Sequence, residues 1–179
     1  NVIERNRLHD SRRALDGLGM AIYLDDATDY AAVIGNLVYN IEGGTKLHLV
    51  YAKGIHNRIE NNILVASPRA RSAIASFEMA GERVDHHVYR RNLVVLRGDT
   101  AIYEFKNWSA ERVETSDRNL FFHADGRYSV RIAGKTLPYD EWRALDGRGF
   151  DAGSVCADPR FVDAARHDYR LMPDSPALA

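Results

Sequence analysis

A short phrase that recurs along this chain limits the folds open to it. Each copy has an alternating run, then an asparagine, then an apolar run, as in residues 33–39, 59–65 and 89–95. A period of roughly 30 residues indicates a stack of similar units, each of which buries its apolar face against its neighbours. The repeated asparagines are Asn6, Asn36, Asn62, Asn92 and Asn119.

A second strand-like segment follows each of these asparagines, at residues 21–24, 46–49, 73–77, 101–105 and 129–132. Several short strands in each unit are too many for a helical repeat, and the leucine-rich pattern is absent. The sequence therefore predicts an all-β fold, a right-handed parallel β-helix (a solenoid) of about five coils, stacked at about 4.8 Å.

The stacking of coils also predicts which side chains share a column. Asparagines at equivalent corners can hydrogen-bond to one another as an amide ladder, and asparagine tolerates the left-handed conformation that a corner needs. We expect one inward and one outward column on the second strand. The inward residues are Ile22, Leu47, Ile74, Ile102 and Val130, and the outward residues are Tyr23, His48, Ala75, Tyr103 and Arg131.

The pattern changes after about residue 135. Residues 137–145 have the pattern of a short helix, with Pro138 at its start, acidic residues in its first turn and Gly147 just past its end. A solenoid must cover its open end, because an exposed coil presents unpaired strand edges. The sequence thus predicts coils over residues 1–135 and a carboxy-terminal cap over residues 136–179.

Composition excludes several classes of function. The 24 basic and 25 acidic residues nearly cancel, so no strong field favours nucleic acid or an anionic membrane as a partner. No apolar run reaches the roughly 20 residues that a membrane-spanning helix needs. The single cysteine, Cys156, excludes an internal disulfide and a cysteine-based metal cluster.

Four motifs carry a resemblance to a known superfamily. They are the Gly-x-Ala-Ile-Tyr-Leu-Asp-Asp run at 19–26, the glycine turn at 43–44 that leads to His48, the run at 59–63, and the closing segment at 157–178. The chain resembles the carboxy-terminal half of right-handed parallel β-helix proteins of the pectate-lyase-like superfamily. The nearest branch is that of secreted bacterial carbohydrate-active enzymes, among them glycoside hydrolases that act on fucosylated or xylan-type glycans.

This resemblance implies a groove along one parallel sheet, in which a polysaccharide or oligosaccharide lies across several coils. Acids from neighbouring coils would do the chemistry, and upstream coils would complete the groove. It also implies a secreted or periplasmic protein, although the sequence starts without a signal-peptide pattern. We expect a monomer.

Glycoside hydrolysis needs two carboxyl groups, one to protonate the leaving oxygen and one to attack or to activate water. Asp25 and Asp26 are the candidate catalytic acids, and they would point to opposite faces if their strand continued. Glu78 and Glu104 are the candidate partners, two and three coils away, which is roughly 10 Å or more. His48, expected one coil below Tyr23 and beside it in the outward column, is the candidate base. The simpler alternatives are an acidic turn and a solvated surface histidine.

Substrate contacts are expected from aromatic rings, on which sugars stack, and from polar groups at the same end of the strands. The candidates are Tyr23, Tyr51, Lys53, Glu78, Tyr103 and Lys106.

Two other functions fit the same sequence. A polysaccharide lyase would use Lys106 or Arg131 to neutralise a uronate carboxylate, and a glycan-binding or structural β-helix would use no chemistry at all. No metal site or cofactor is expected. Asp25, Asp26 and Asp29 form the one acidic cluster with any likeness to a Ca²⁺ loop.

Overall fold

The computed structural model describes residues 1–12, 17–78 and 83–179. In it, stacked parallel strands form a β-solenoid of about 4 turns, so the predicted all-β solenoid with a short helix near the carboxyl end is confirmed. The solenoid has about one turn fewer than expected, because five asparagine corners enclose only four intervals. None of the described helices is long and apolar enough to cross a membrane.

Three parallel sheets run along the solenoid. The first contains Val2–Glu4, Ala32–Ile34, Arg58–Glu60, His87–Arg90 and Val113–Asp117. The second contains Arg7–Leu8, Leu37–Val38, Ile63–Val65, Leu93–Leu96, Leu120–His123 and Val155–Cys156. The third contains Leu18–Leu24, Lys46–Ala52, Ala70–Ser76, Ala101–Phe105 and Ser129–Ile132, and Lys135–Pro138 joins it antiparallel. Two small pairs are Ser11–Arg12 with Ile41–Glu42, and Phe161–Asp163 with Asp168–Leu171.

The predicted amide ladder is confirmed at the corner between the first and second sheets. The backbone N and Nδ2 of Asn36 donate to Oδ1 of Asn62 at 2.9 and 3.0 Å. Asn62 repeats this pattern with Asn92 at 3.2 and 3.0 Å, and Asn92 repeats it with Asn119 at 2.9 and 3.2 Å. These four asparagines are buried, so the ladder satisfies polar groups that water does not reach.

The left-handed residue of each corner is not the asparagine itself, and that part of the prediction is wrong. The residue just before each ladder asparagine has a positive φ, between 52° and 65°. The reason is that the turning residue faces solvent, whereas the ladder side chain must point inward to meet its neighbours. The turning residues are Arg5, Gly35, Asn61, Arg91 and Arg118.

The register of the third sheet differs from the predicted one. Val50, rather than Leu47, stacks between Ile22 and Ile74. All five residues of the predicted inward column are nevertheless buried. The shift arises because two consecutive residues, Leu49 and Val50, both join the core, which breaks the strict alternation of a flat strand.

Tyr103 was expected to face outward and instead lies in the core. It pairs with Ile74 in the register, and its hydroxyl is 2.8 Å from Oγ of Ser116. The same irregularity applies here, since Ile102 and Tyr103 are consecutive core residues.

The carboxy-terminal segment packs against the last coil, where Trp142 contacts Tyr103 and Phe105. Its helix spans Tyr139–Ala144, after the strand Lys135–Pro138, and short 3₁₀ helices span Ala110–Arg112, Leu145–Gly147, Ala164–Arg166 and Pro176–Leu178. Trp142 is buried and stacks on Phe150 with ring centres 4.6 Å apart. The amide ladder ends on Asp151, whose Oδ1 accepts from Asn119 Nδ2 at 2.9 Å and whose Oδ2 accepts from Trp142 Nε1 at 2.9 Å.

Candidate functional site

The candidate site residues lie on or beside the outer face of the third sheet. The register places one residue from each parallel strand in a single outer row. Most of that row is buried, but Tyr23, on the first strand, is 38% exposed. Arg131 at the other end is half-buried, so Tyr23 is the most accessible residue of the row. In order, the row is Tyr23, Tyr51, Ala75, Glu104 and Arg131.

Asp25 and Asp26 follow the first strand and converge on Lys53 from the next coil. Lys53 Nζ donates to Asp25 Oδ1 at 3.3 Å, makes a shorter contact with Asp26 Oδ1, and lies 5.6 Å from the centre of the Tyr23 ring. The strand ends at Leu24, so alternation does not separate the two carboxylates. The Lys53 side chain is only 6% exposed, whereas those of Asp25 and Asp26 are 63% and 47% exposed.

The contacts within this cluster fix its charges near neutral pH. Hydrogen bonds from the Tyr23 hydroxyl and from the Asp26 backbone lower the pKa of Asp25, and Lys53 lowers it further. Burial alone would lower the pKa of Lys53, but hydrogen bonds to Asp26, Tyr23 and Asp25 outweigh burial and raise it. Burial, and then Asp25, raise the pKa of Tyr23. The cluster therefore holds an ammonium group, an ionised Asp25 and a protonated phenol.

His48 does not lie beside Tyr23, so that predicted neighbourhood is wrong. The register aligns His48 with Met20 on one side and with Ser72 on the other. The expected alignment places Leu47 beside Ile22, but Val50 occupies that position, so His48 is displaced along the strand. His48 is also buried rather than solvated, and its Nδ1 lies 2.8 Å from Ser72 Oγ.

The surroundings of His48 keep its ring neutral. Its ring centre lies 5.5 Å from that of Tyr51 and 5.6 Å from that of Phe77. Burial, and then the positive charge of Arg71 and other nearby cations, lower the pKa of His48 to about 4. Burial also raises the pKa of Tyr51 to about 12. Both groups are therefore neutral at pH 7, and His48 is too enclosed to meet a polymer directly.

Sequence reasoning missed Arg71, which holds Glu104. Nε of Arg71 donates to both carboxylate oxygens of Glu104, at 2.7 and 2.8 Å. The register shifts between Ala70 and Ser72, so Arg71 is the extra residue of a bulge, and bulges re-aim side chains. The one signal in the sequence is that Arg71 and Glu104 have opposite charges and fall within or next to neighbouring predicted strands, where such side chains can pair.

The remaining candidates lie elsewhere. Glu78 is bound by Arg112 at 2.6 Å and by Asn107, and these two contacts lower its pKa. Lys106 is exposed. Tyr103 lies in the core and does not face the groove.

The cluster around Asp25 can offer charged hydrogen-bonding groups and an aromatic face to a ligand. Within the described ranges, no group of three or more histidine, cysteine or acidic residues could hold a metal ion. No protein-family model, no curated protein and no solved structure matches the chain.

Proposed function

We propose that this protein binds a polysaccharide at the exposed end of the third sheet's outer face and hydrolyses it, with Asp25 as the ionised carboxylate. One observation carries the proposal, which is the cluster of Asp25, Asp26, Lys53 and Tyr23. Tyr23 supplies an exposed aromatic ring on which a sugar can stack. The carboxylates and the ammonium group beside it supply strong hydrogen bonds to sugar hydroxyls.

Asp25 fits one of the two carboxyl roles in glycoside hydrolysis. An attacking or water-activating carboxylate must be ionised, and the contacts of Asp25 lower its pKa. Its exposed side chain can also reach a polymer lying across the coils. Lys53 would hold the carboxylate in place, since its own side chain is buried and points at both acids.

A second candidate function is a glycan-binding β-helix without catalysis. The observation that favours it concerns the partner acid, because Glu78 and Glu104 are each held by an arginine. A general acid needs a raised pKa, and the pKa of Glu78 is lowered instead. Asp151 has its pKa raised by burial, but it lies in the cap at the end of the amide ladder.

The test measures new reducing ends and ultraviolet absorbance in the same wells, with a panel of plant and algal polysaccharides. The variants are Asp25→Asn, Asp26→Asn and Tyr23→Ala, and the matched control is Glu141→Gln, an exposed acid on the cap helix. We expect reducing ends without absorbance, lost in Asp25→Asn and kept in the control.

Other outcomes redirect the proposal. Absorbance that rises with the reducing ends would mean an unsaturated product, and hence a lyase. Retention on a polysaccharide gel without any cleavage, weakened by Tyr23→Ala, would establish the binding module. If Asp25→Asn cleaves as fast as the wild type, Asp25 is not the reacting carboxylate.

A further inference from the structure

The corner that carries the amide ladder has a second feature, on its outer side. The turning residues of the last two ladder corners are Arg91 and Arg118, both left-handed and both exposed. Glycine and asparagine adopt this conformation most readily, and they occupy two of the other corners as Gly35 and Asn61. Arginine brings no conformational advantage at these corners. Arg5 also turns the first corner, but only Arg91 and Arg118 line a common groove.

Arg91 and Arg118 line one groove together with Asn61. The groove has a volume of about 550 Å³, and its lining also includes two ladder asparagines and the residues Pro176, Ala177 and Ala179. The two arginines come from successive coils, so their backbones are separated by about 4.8 Å along the solenoid axis.

Neither guanidinium group is neutralised by its neighbours. In the part of the chain that the structure describes, neither side chain has a hydrogen bond or an ion pair. The acid nearest in sequence, Asp117, instead accepts a hydrogen bond from the backbone N of Gly153 at 2.6 Å. The lining of the groove therefore includes two cations without an ion pair, together with Asn61.

We propose that this groove binds the acidic groups of an extended anionic polysaccharide, with Arg91 and Arg118 each contacting one carboxylate or sulfate group. Guanidinium groups bind such oxyanions through paired hydrogen bonds. A row of cations repeated once per coil suits a polymer whose acidic groups repeat along its length. The groove lies between the first and second sheets, whereas Asp25 follows the third, so this binding does not depend on hydrolysis at Asp25.

The lining of the groove favours a polysaccharide over a nucleic acid. Proteins that bind single strands stack bases on aromatic side chains, and none of the residues that line this groove is aromatic. The net charge of −1 gives no long-range attraction to either kind of polyanion, so recognition comes from local contacts.

Native affinity electrophoresis tests this proposal, with polygalacturonate, dextran sulfate and neutral dextran as the immobilised polymers. The variant is Arg91→Gln with Arg118→Gln. The control is Arg69→Gln with Lys135→Gln, which removes the same charge from two exposed sites elsewhere. We expect the double variant to bind an acidic polymer about 5- to 10-fold more weakly than the control, from two exposed ion pairs.

The polymers identify the acidic group. Retention by polygalacturonate assigns carboxylates and retention by dextran sulfate assigns sulfate esters, and both weaken as salt rises. Equal retention of the variant and the control would overturn the proposal, as would retention by neutral dextran alone. A single-stranded polynucleotide that binds more tightly than either acidic polymer, through the same arginines, would overturn the choice of polysaccharide. Asp25→Asn is expected to keep this binding unchanged, which separates this result from the fate of the hydrolase proposal.

Discussion

Replacing Asn62 by alanine removes the middle of the amide ladder. The Asn62 side chain donates from Nδ2 to Val33 O at 2.9 Å and to Asn92 Oδ1 at 3.0 Å. Its Oδ1 accepts from the backbone N and from Nδ2 of Asn36. Asn92 Oδ1 keeps its bond from the Asn62 backbone, but the Asn36 backbone N and Val33 O each lose a partner. Leaving the buried Asn36 N–H without an acceptor costs about 1–3 kcal/mol, and the lost hydrogen bond to Val33 O adds about 1 kcal/mol, so we expect a loss of about 2–4 kcal/mol.

Two control variants test whether the loss comes from the buried ladder bonds. Asn61→Gly changes the adjacent asparagine, which is exposed and has a φ of 56°, so glycine there should alter the free energy of unfolding by under about 0.5 kcal/mol. Asn6→Ala removes the exposed end of the ladder, where Asn6 donates to Asn36, and should cost about 1 kcal/mol.

The assay is urea unfolding followed by circular dichroism, with the slope compared between variants because a solenoid can fray one coil at a time. A loss of less than about 1 kcal/mol for Asn62→Ala would refute the reasoning. So would a loss no larger than that of Asn6→Ala, since the ladder would then not act through burial.

Three further predictions concern charged groups. Asp151→Ala should cost about 3 kcal/mol or more, measured by tryptophan fluorescence during unfolding, because three donors lose a buried acceptor; a loss under about 1 kcal/mol would contradict this. His48 has a folded pKa of about 4, below its unfolded value of 6.5, so it should contribute a loss on the order of 2–3 kcal/mol as the pH drops from 6.5 to 4, beside the loss from buried His87, whose pKa is lowered to about 3. His48→Gln, which cannot titrate, should lose less over that range, and parallel pH profiles would refute the assignment. Lys53→Met should raise the pKa of Asp25 in an NMR titration, because Lys53 is one of the groups that lower it; an unchanged titration would show that Lys53 does not act on Asp25.

The architecture could be predicted because its strongest signal is one-dimensional. Identical side chains that stack on identical side chains must recur at each coil, so the asparagines appear in sequence as a simple period. What the period does not reveal is which residue turns the chain. Arg91 and Arg118 carry the positive φ, although neither is a residue that favours it.

The candidate site was harder to predict because it depends on the register between strands of neighbouring coils. An extra residue in one strand shifts that register without a visible signal in the sequence. Two consecutive inward residues, such as Leu49 and Val50, change the face of every later residue on that strand. The bulge at Arg71 then shifts one strand against the next. His48 and Tyr103 were therefore assigned to the outer row, while Tyr51 and Glu104 occupy it. By contrast, Asp25 and Lys53 lie where the strands end, beyond these irregularities.

The cap also explains why the asparagine repeat stops where it does. Each ladder asparagine donates from its backbone N and from Nδ2 to Oδ1 of the next asparagine. The last asparagine has no successor, so its two donors need other acceptors. Asn119 finds them in the cap, where Ser154 Oγ accepts from its backbone N and Asp151 accepts from Nδ2. Ser154 Oγ donates a hydrogen bond to Asp151 Oδ1, and Trp142 Nε1 donates one to Oδ2. A carboxylate accepts hydrogen bonds and has none to donate, so it can pair with the last asparagine without a further asparagine beyond it. Burial raises the pKa of Asp151, and the hydrogen bonds from Ser154, Asn119 and Trp142 oppose that rise.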